Sequence, residues 1–114
     1  MSVNYGVAWV QVYLGEIYDI HGMDTRGDCW CSNGHNEQYY ITTFKLSYSL
    51  NGGQFNYYVD ENEILNGNVG ATWNIPNRKT FDKKIEADTL RIHPITGFYS
   101  ALAFELYGCG NISL

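Results

Sequence analysis

Two runs near the end of the chain constrain its fold more than any other feature. In Leu90-Arg91-Ile92-His93 the apolar residues alternate with polar ones, and in Leu102-Ala103-Phe104-Glu105-Leu106-Tyr107 they do so again. Period two over this length is the signature of half-buried β-strands, because successive strand side chains point to opposite faces. The piece between them holds Pro94 and Gly97 and reads as a long loop that lets the two strands pair as a hairpin. Strands this apolar belong in the middle of a β-core, so the rest of the chain has to be placed against them.

The other segments agree. Val10, Val12 and Leu14 alternate with Trp9, Gln11 and Tyr13 in a strand that ends at Gly15, and 17–25 reads as a second strand with Gly22 at a bulge. The run 39–50 carries Ile41, Phe44, Leu46, Tyr48 and Leu50 mostly in step. Asn51-Gly52-Gly53 then turns the chain, since Asn and Gly accept the positive φ a hairpin turn needs. Residues 55–59 return along it, and 64–68 form a short strand and turn. Asp82-Lys83-Lys84 reads as a charged turn, with Glu61, Glu63, Glu86 and Asp88 as solvated turn residues. No segment holds a 3.6-residue apolar period for three turns, so no helix is expected.

The 114 residues make one domain, 1–114, long enough for one real core. An apolar content of 45% with 17% charged residues suits a globular chain rather than a disordered one. A net charge of −5 with only seven Lys and Arg argues against nucleic acid, which demands a basic surface. It also disfavours a purely electrostatic attachment to membranes. No run of eighteen apolar residues is present, and the opening residues lack a basic stretch followed by an apolar core.

Function points to one loop. Residues 26–38 exceed the usual strand connection, and long loops on β-scaffolds commonly carry binding residues. Trp30 lies near its middle. A loop tryptophan either tucks into the core or presents an apolar face with one N–H donor to a sugar ring or a membrane interface. Trp73, in 67–77, has the same two readings on a neighbouring loop. Arg26-Gly27-Asp28 spells an integrin-binding tripeptide, although three-letter motifs recur by chance. Cys29, Cys31 and His35, with His21 as a distant fourth, fall short of the four well-placed ligands zinc requires. A Cys29–Cys31 disulfide would close a very small, strained ring. The third cysteine, Cys109, makes the count odd, which leaves a free thiol or a partner outside the chain. No Ser/His/Asp grouping, acid–base pair or phosphate-binding glycine loop is visible, so no enzymatic activity is expected. Asn111-Ile112-Ser113 is an N-glycosylation sequon, usable in a secreted protein.

Taken together, Trp9-Val10-Gln11-Val12 with Leu14-Gly15, Thr25-Arg26-Gly27, Phe44-Lys45-Leu46-Ser47-Tyr48-Ser49 with Asn51-Gly52 and Phe55, Asn66-Gly67-Asn68, Leu90-Arg91-Ile92-His93-Pro94 and Ala101 through Cys109 form an ordered set. In that order and spacing the chain resembles the discoidin domains, also called coagulation factor V/VIII type C domains. The resemblance implies an all-β, discoidin-like jelly-roll β-sandwich, galactose-binding-domain-like, of about eight strands. It implies ligand-binding loops at one end, and extracellular work on phosphatidylserine membranes, glycans, collagen or other proteins, without catalysis. The family domain usually begins earlier, with a cysteine that pairs with the last one. The chain is therefore expected to be N-terminally shortened, with Cys109 a disulfide candidate whose partner lies outside it. Tyr13 stands where the family usually has Asp, and Phe55 where Trp is common.

On this basis Trp30, Asn33, His35, Tyr39 and Trp73 are the expected ligand-binding residues, with Trp30 the apolar anchor. Glycan or glycoprotein is the expected partner, with anionic phospholipid as the alternative and a purely structural β-module as the third reading. No cofactor is expected, and nothing in the sequence indicates calcium.

Overall fold

The computed structural model describes residues 2–5, 9–30, 33–34, 37–68, 74–98 and 103–110. Eight strands run in chain order: β1 (Ser2–Tyr5), β2 (Val10–Arg26), β3 (Asp28–Trp30), β4 (Glu37–Ser49), β5 (Asn56–Tyr57), β6 (Leu65–Asn66), β7 (Asn77–Phe98) and β8 (Ala103–Gly110). Every pairing is antiparallel. Among the described residues there is no helix, as the apolar periods require.

β7 is the spine. One edge pairs with β2 from Thr25↔Asn77 to Val10↔Ile92, and the other pairs with β4 from Ser49↔Thr89 to Tyr40↔Phe98. The far edge of β2 is shared by β1 and β8, and the far edge of β4 by β3, β5 and β6. The sheet folds back on itself. Tyr58, just after β5, stacks at 4.9 Å between centroids on Phe81 in the first half of β7, and its hydroxyl accepts the Asp82 amide at 2.9 Å. The enclosed core draws Ile20 and Met23 from β2, Ile41, Phe44 and Leu46 from β4, and Ile85, Leu90 and Ile92 from β7.

The alternation read from the sequence is seen in these strands. Val10, Val12, Leu90 and Ile92 are buried, while Gln11, Arg91 and His93 lie half-buried on the outer face. The turn at Asn51 and Gly52 has φ values of 53° and 70°, closed by the Gly53 amide donating to the Leu50 carbonyl at 2.9 Å.

Three expectations are corrected. First, β7 and β8 do not form a hairpin. β2 lies between them, so β7 holds the centre while β8 pairs β2 alone among the described strands. Second, Gly15-Glu16 and Asp82–Lys84 do not break the chain into separate strands. They sit in bulges, where 14–17 oppose Asp88 alone and 81–84 oppose His21 alone. Asp88 is correspondingly buried, accepting the Thr89 hydroxyl at 3.0 Å and the Asn51 amide at 3.2 Å, and is no solvated turn residue. Third, Pro94 and Gly97 lie inside β7. Thr42 is the extra residue on β4 and Ile95 the extra residue on β7, which lets Ile41 and Phe44, three apart, both face the core. Proline is tolerated beside a bulge because the ladder is already interrupted there.

Candidate ligand-binding end

The loops of interest gather at one end because of how β2, β4 and β7 terminate. β2 ends at Arg26, opposite Ala103 of β8, one residue beyond the Thr25↔Asn77 pair that starts β7. Gly27 passes the chain to β3, which runs back along β4 through Asp28↔Tyr39, Cys29↔Gln38 and Trp30↔Glu37. The segment after β6 is strapped to the same place. The Gly67 and Asn68 amides each donate at 2.8 Å to the Thr42 and Ile41 carbonyls of β4. The buried Asn68 side chain donates at 2.7 Å to the Ile75 carbonyl, and the Asn77 side chain donates to the Gly67 carbonyl. Two asparagine amides thus tie Gly67 and Asn68 to Ile75 and Asn77, beside the β3–β4 hairpin. Sequence reading missed both, since an asparagine that ties a loop looks like any turn asparagine.

Of the five expected residues, Trp30, Asn33 and Tyr39 fall on the β3–β4 hairpin. Trp30 is opposite Glu37 in the ladder, and what is described of it is its backbone. Asn33 is exposed and, with φ values of 52° and 84° at Asn33 and Gly34, forms the tip of the turn. Tyr39 is half-buried at the base. His35 and Trp73 lie outside the described residues, as does Cys31. Arg26-Gly27-Asp28 spans the junction of β2 and β3, with Gly27 buried, and is not a loop tip. Cys109 lies on β8 opposite Asp19, well down the strand from the hairpin.

The same end presents side chains the sequence did not flag. Ile75 and Ile95 are large apolar groups left 55% and 40% exposed, Ile95 being turned out by the bulge that contains it. Between the two bulges Thr96 Oγ1 lies 2.5 Å from Oγ1 of both Thr42 and Thr43, a compact hydroxyl cluster. Just inside, Asp24 accepts hydrogen bonds from Tyr107 Oη and, at 3.1 Å, from Arg78 Nε. The Arg78 guanidinium also lies 4.2 Å from the centroid of the Tyr107 ring. The tyrosine hydrogen bond, and then Arg78, hold the Asp24 carboxyl below its usual range. Among the described residues no three His, Cys, Asp or Glu side chains come together as a metal site.

The family profile of the F5/8 type C domain matches residues 2–106. The chain belongs to the F5/8 type C domain family. Within that family it is 29% identical to lactadherin of Mus musculus over 106 residues, covering 89% of this chain and 21% of lactadherin. Lactadherin of Rattus norvegicus gives the same 29% over 89% of this chain and 23% of the relative. The chain thus spans less than a quarter of the length of either. Among solved structures, discoidin II from Dictyostelium discoideum superposes with a TM-score of 0.69 at 24% identity, over 88% of this chain and 36% of that one. CBM32-3 from a family 31 glycoside hydrolase of Clostridium perfringens gives 0.60 at 20% identity, over 96% and 72%. These likenesses fix the fold. F5/8 type C domains are binding modules.

Proposed function

We propose that this F5/8 type C domain works outside the cell as a recognition module for glycans or glycoproteins. Binding is through the end formed by the β3–β4 hairpin and the tied 67–77 loop. Trp30 is the apolar platform, Asn33, His35 and Tyr39 supply hydrogen bonds, and Trp73 is a second aromatic contact.

The observation that carries this reading is the strapping. Asn68 and Asn77 hold the 67–77 loop against β4, beside the hairpin. Loops fixed in advance lose little entropy on binding, which suits weak, multi-point sugar recognition. The net charge of −5 works against an anionic bilayer. One structural neighbour, a family 89 glycoside hydrolase of Clostridium perfringens solved with GlcNAc-α-1,4-galactose, overlaps this chain over 11% of its own length.

A second reading has its own observation. Ile75 and Ile95 are exposed apolar side chains at the same end, the kind of group that inserts at a membrane surface. One experiment separates the two. Wild type, Trp30→Ala and Ile75→Ser are tested on a glycan panel and on liposomes with and without phosphatidylserine, each checked for folding by circular dichroism. Glycan binding that Trp30→Ala reduces at least tenfold and Ile75→Ser leaves intact is the expected result. Phosphatidylserine-dependent liposome binding lost in Ile75→Ser replaces the glycan reading with membrane attachment. Folded protein that binds neither leaves only the structural module.

A further inference from the structure

The outer face of β4 and β7, away from the hairpin end, carries an arrangement that the proposed loop site does not use. Burial of Leu46, Leu90 and Ile92 places Lys45, Arg91 and His93 on the outer face together with Ser47, which is itself buried there, and the register sets Lys45 opposite His93 and Ser47 opposite Arg91. Tyr57 of β5 completes the Ser47 row. His93 Nε2 lies 2.7 Å from Ser47 Oγ, and its ring is 5.6 Å from that of Tyr57 between centroids, tilted by 46°. Lys45 Nζ is 5.9 Å from the Tyr57 centroid. Arg91 is gripped between Phe55 at 3.7 Å and Trp9 at 4.2 Å, and donates to Gln11 Oε1 at 2.8 Å.

Two basic side chains and an imidazole therefore share one face. The ion pairs Arg78–Asp24 and Lys84–Asp19 use neither Lys45 nor Arg91, and among the described residues neither cation has a carboxylate at ion-pair distance. In a chain with twelve Asp and Glu against seven Lys and Arg, two cations without a paired acid are the reverse of the molecule's average. Lys45 faces the His93 ring directly and Arg91 lies two residues from it, so a positive charge on His93 is opposed by both cations unless an anion binds between them. Burial, and then Arg91 and Lys45, hold the His93 imidazole below its ordinary value, the mark of a site short of negative charge.

We propose that this face is a second binding surface, for an anionic saccharide, with Lys45 and His93 holding the carboxylate or sulfate group and Tyr57 packing against the sugar ring. Tyr57 is 39% exposed and lies beside both cationic groups, so a pyranose can lie on its ring while the acidic substituent reaches them. Arg91, fixed by its aromatic clamp, adds positive potential from the side and positions Phe55. Between Tyr39 of the hairpin and Lys45 there are six residues of strand, roughly 20 Å, so the two surfaces are separate. The proposal stands whether or not the loop end binds glycans.

The test is titration calorimetry of the protein with a heparin-derived tetrasaccharide, its desulfated counterpart that keeps the uronate carboxylates, a neutral tetrasaccharide, and sodium sulfate, alongside proton NMR of the His93 ring. The variants are Lys45→Gln, Lys45→Glu, Tyr57→Ala and, as a control that removes an exposed cation elsewhere, Lys83→Gln. Expected are binding of at least one anionic saccharide with a shift of the His93 resonance, and a loss of tenfold or more in Lys45→Gln and Lys45→Glu. Affinity falls with added salt, and Lys83→Gln leaves it unchanged. The two anionic arms distinguish a sulfate ligand from a carboxylate ligand. The proposal is overturned if no anionic saccharide binds, if Lys45→Glu binds as wild type does, if the neutral sugar shifts the His93 resonance as strongly, or if sodium sulfate alone reproduces the affinity.

Discussion

His93 shows how much of this molecule's behaviour is set by one side chain and its neighbours. It is faced by Lys45 from β4, Arg91 from its own strand and Tyr57 from β5, with Ser47 on its Nε2. Burial and the two cations depress its folded-state pKa below the unfolded value of about 6.5. The unfolded chain therefore takes up a proton that the folded chain resists as pH falls. The stability linked to His93 is complete above about pH 6.5 and is lost as pH drops through the lower folded value. Asp24 acts in a separate, more acidic window, since its carboxyl, held down by the Tyr107 hydrogen bond and Arg78, stays charged to below its usual range. Urea melts of wild type and His93→Asn between pH 7.5 and 5 test the first window. The wild type loses stability across it and the variant loses less. Identical profiles would mean that His93 does not titrate between the two states.

At the scale of elements, the bulges decide what the sequence could reveal. The apolar alternation at 10–14, 41–50 and 90–93 and the Asn51-Gly52 turn were all legible, because each is a local pattern with a local cause. Gly15-Glu16, Asp82–Lys84 and Pro94 with Gly97 were misread for one shared reason. Turn chemistry marks where the strand period breaks, but whether the chain then reverses or continues past a bulge is settled by a partner strand some fifty to seventy residues away. The site was legible to a similar degree. A long loop with Trp30 stands out, whereas the loop-tying amides of Asn68 and Asn77 and the turned-out Ile95 depend on pairings that no local pattern records. Gly22 offers a direct test, because it flanks the 81–84 bulge where β7 crosses closest. A Cβ there would lie 2.4 Å from the Lys79 carbonyl oxygen, a backbone atom that cannot move without breaking the ladder. Gly22→Ala is expected to cost more than about 2 kcal/mol in a denaturant melt, at the upper end of overpacking changes. A cost under half a unit would show that β2 and β7 separate freely at this point.

For the whole molecule, the main asymmetry is between near and distant partners in sequence. The β3–β4 and β4–β5 hairpins are local, but β4 meets β7 only across about a third to a half of the chain, and β2 meets β7 and β8 across about half of it or more. Closing such loops before any contact rewards them makes folding slow, in the range of roughly milliseconds to seconds for all-β domains. One stretch offers a nucleus. Residues 89–92 of β7 pair at once with 10–13 of β2 and 46–49 of β4, so fixing them joins three strands in a single step. β8 has no such leverage, since it adds to β2 from the outer edge. Leu90, 1% exposed in that stretch, and Leu106 of β8, half-buried against the core, make the comparison. Leu90→Ala is expected to remove about 2–5 kcal/mol and to slow refolding, with a φ-value of about 0.5 or more. Leu106→Ala, costing less, is expected to act mainly on unfolding, with a φ-value under about 0.3. Stopped-flow chevrons of the two variants decide it. Equal φ-values would mean that the three-strand crossing forms no earlier than the edge, and that the sheet condenses as a whole.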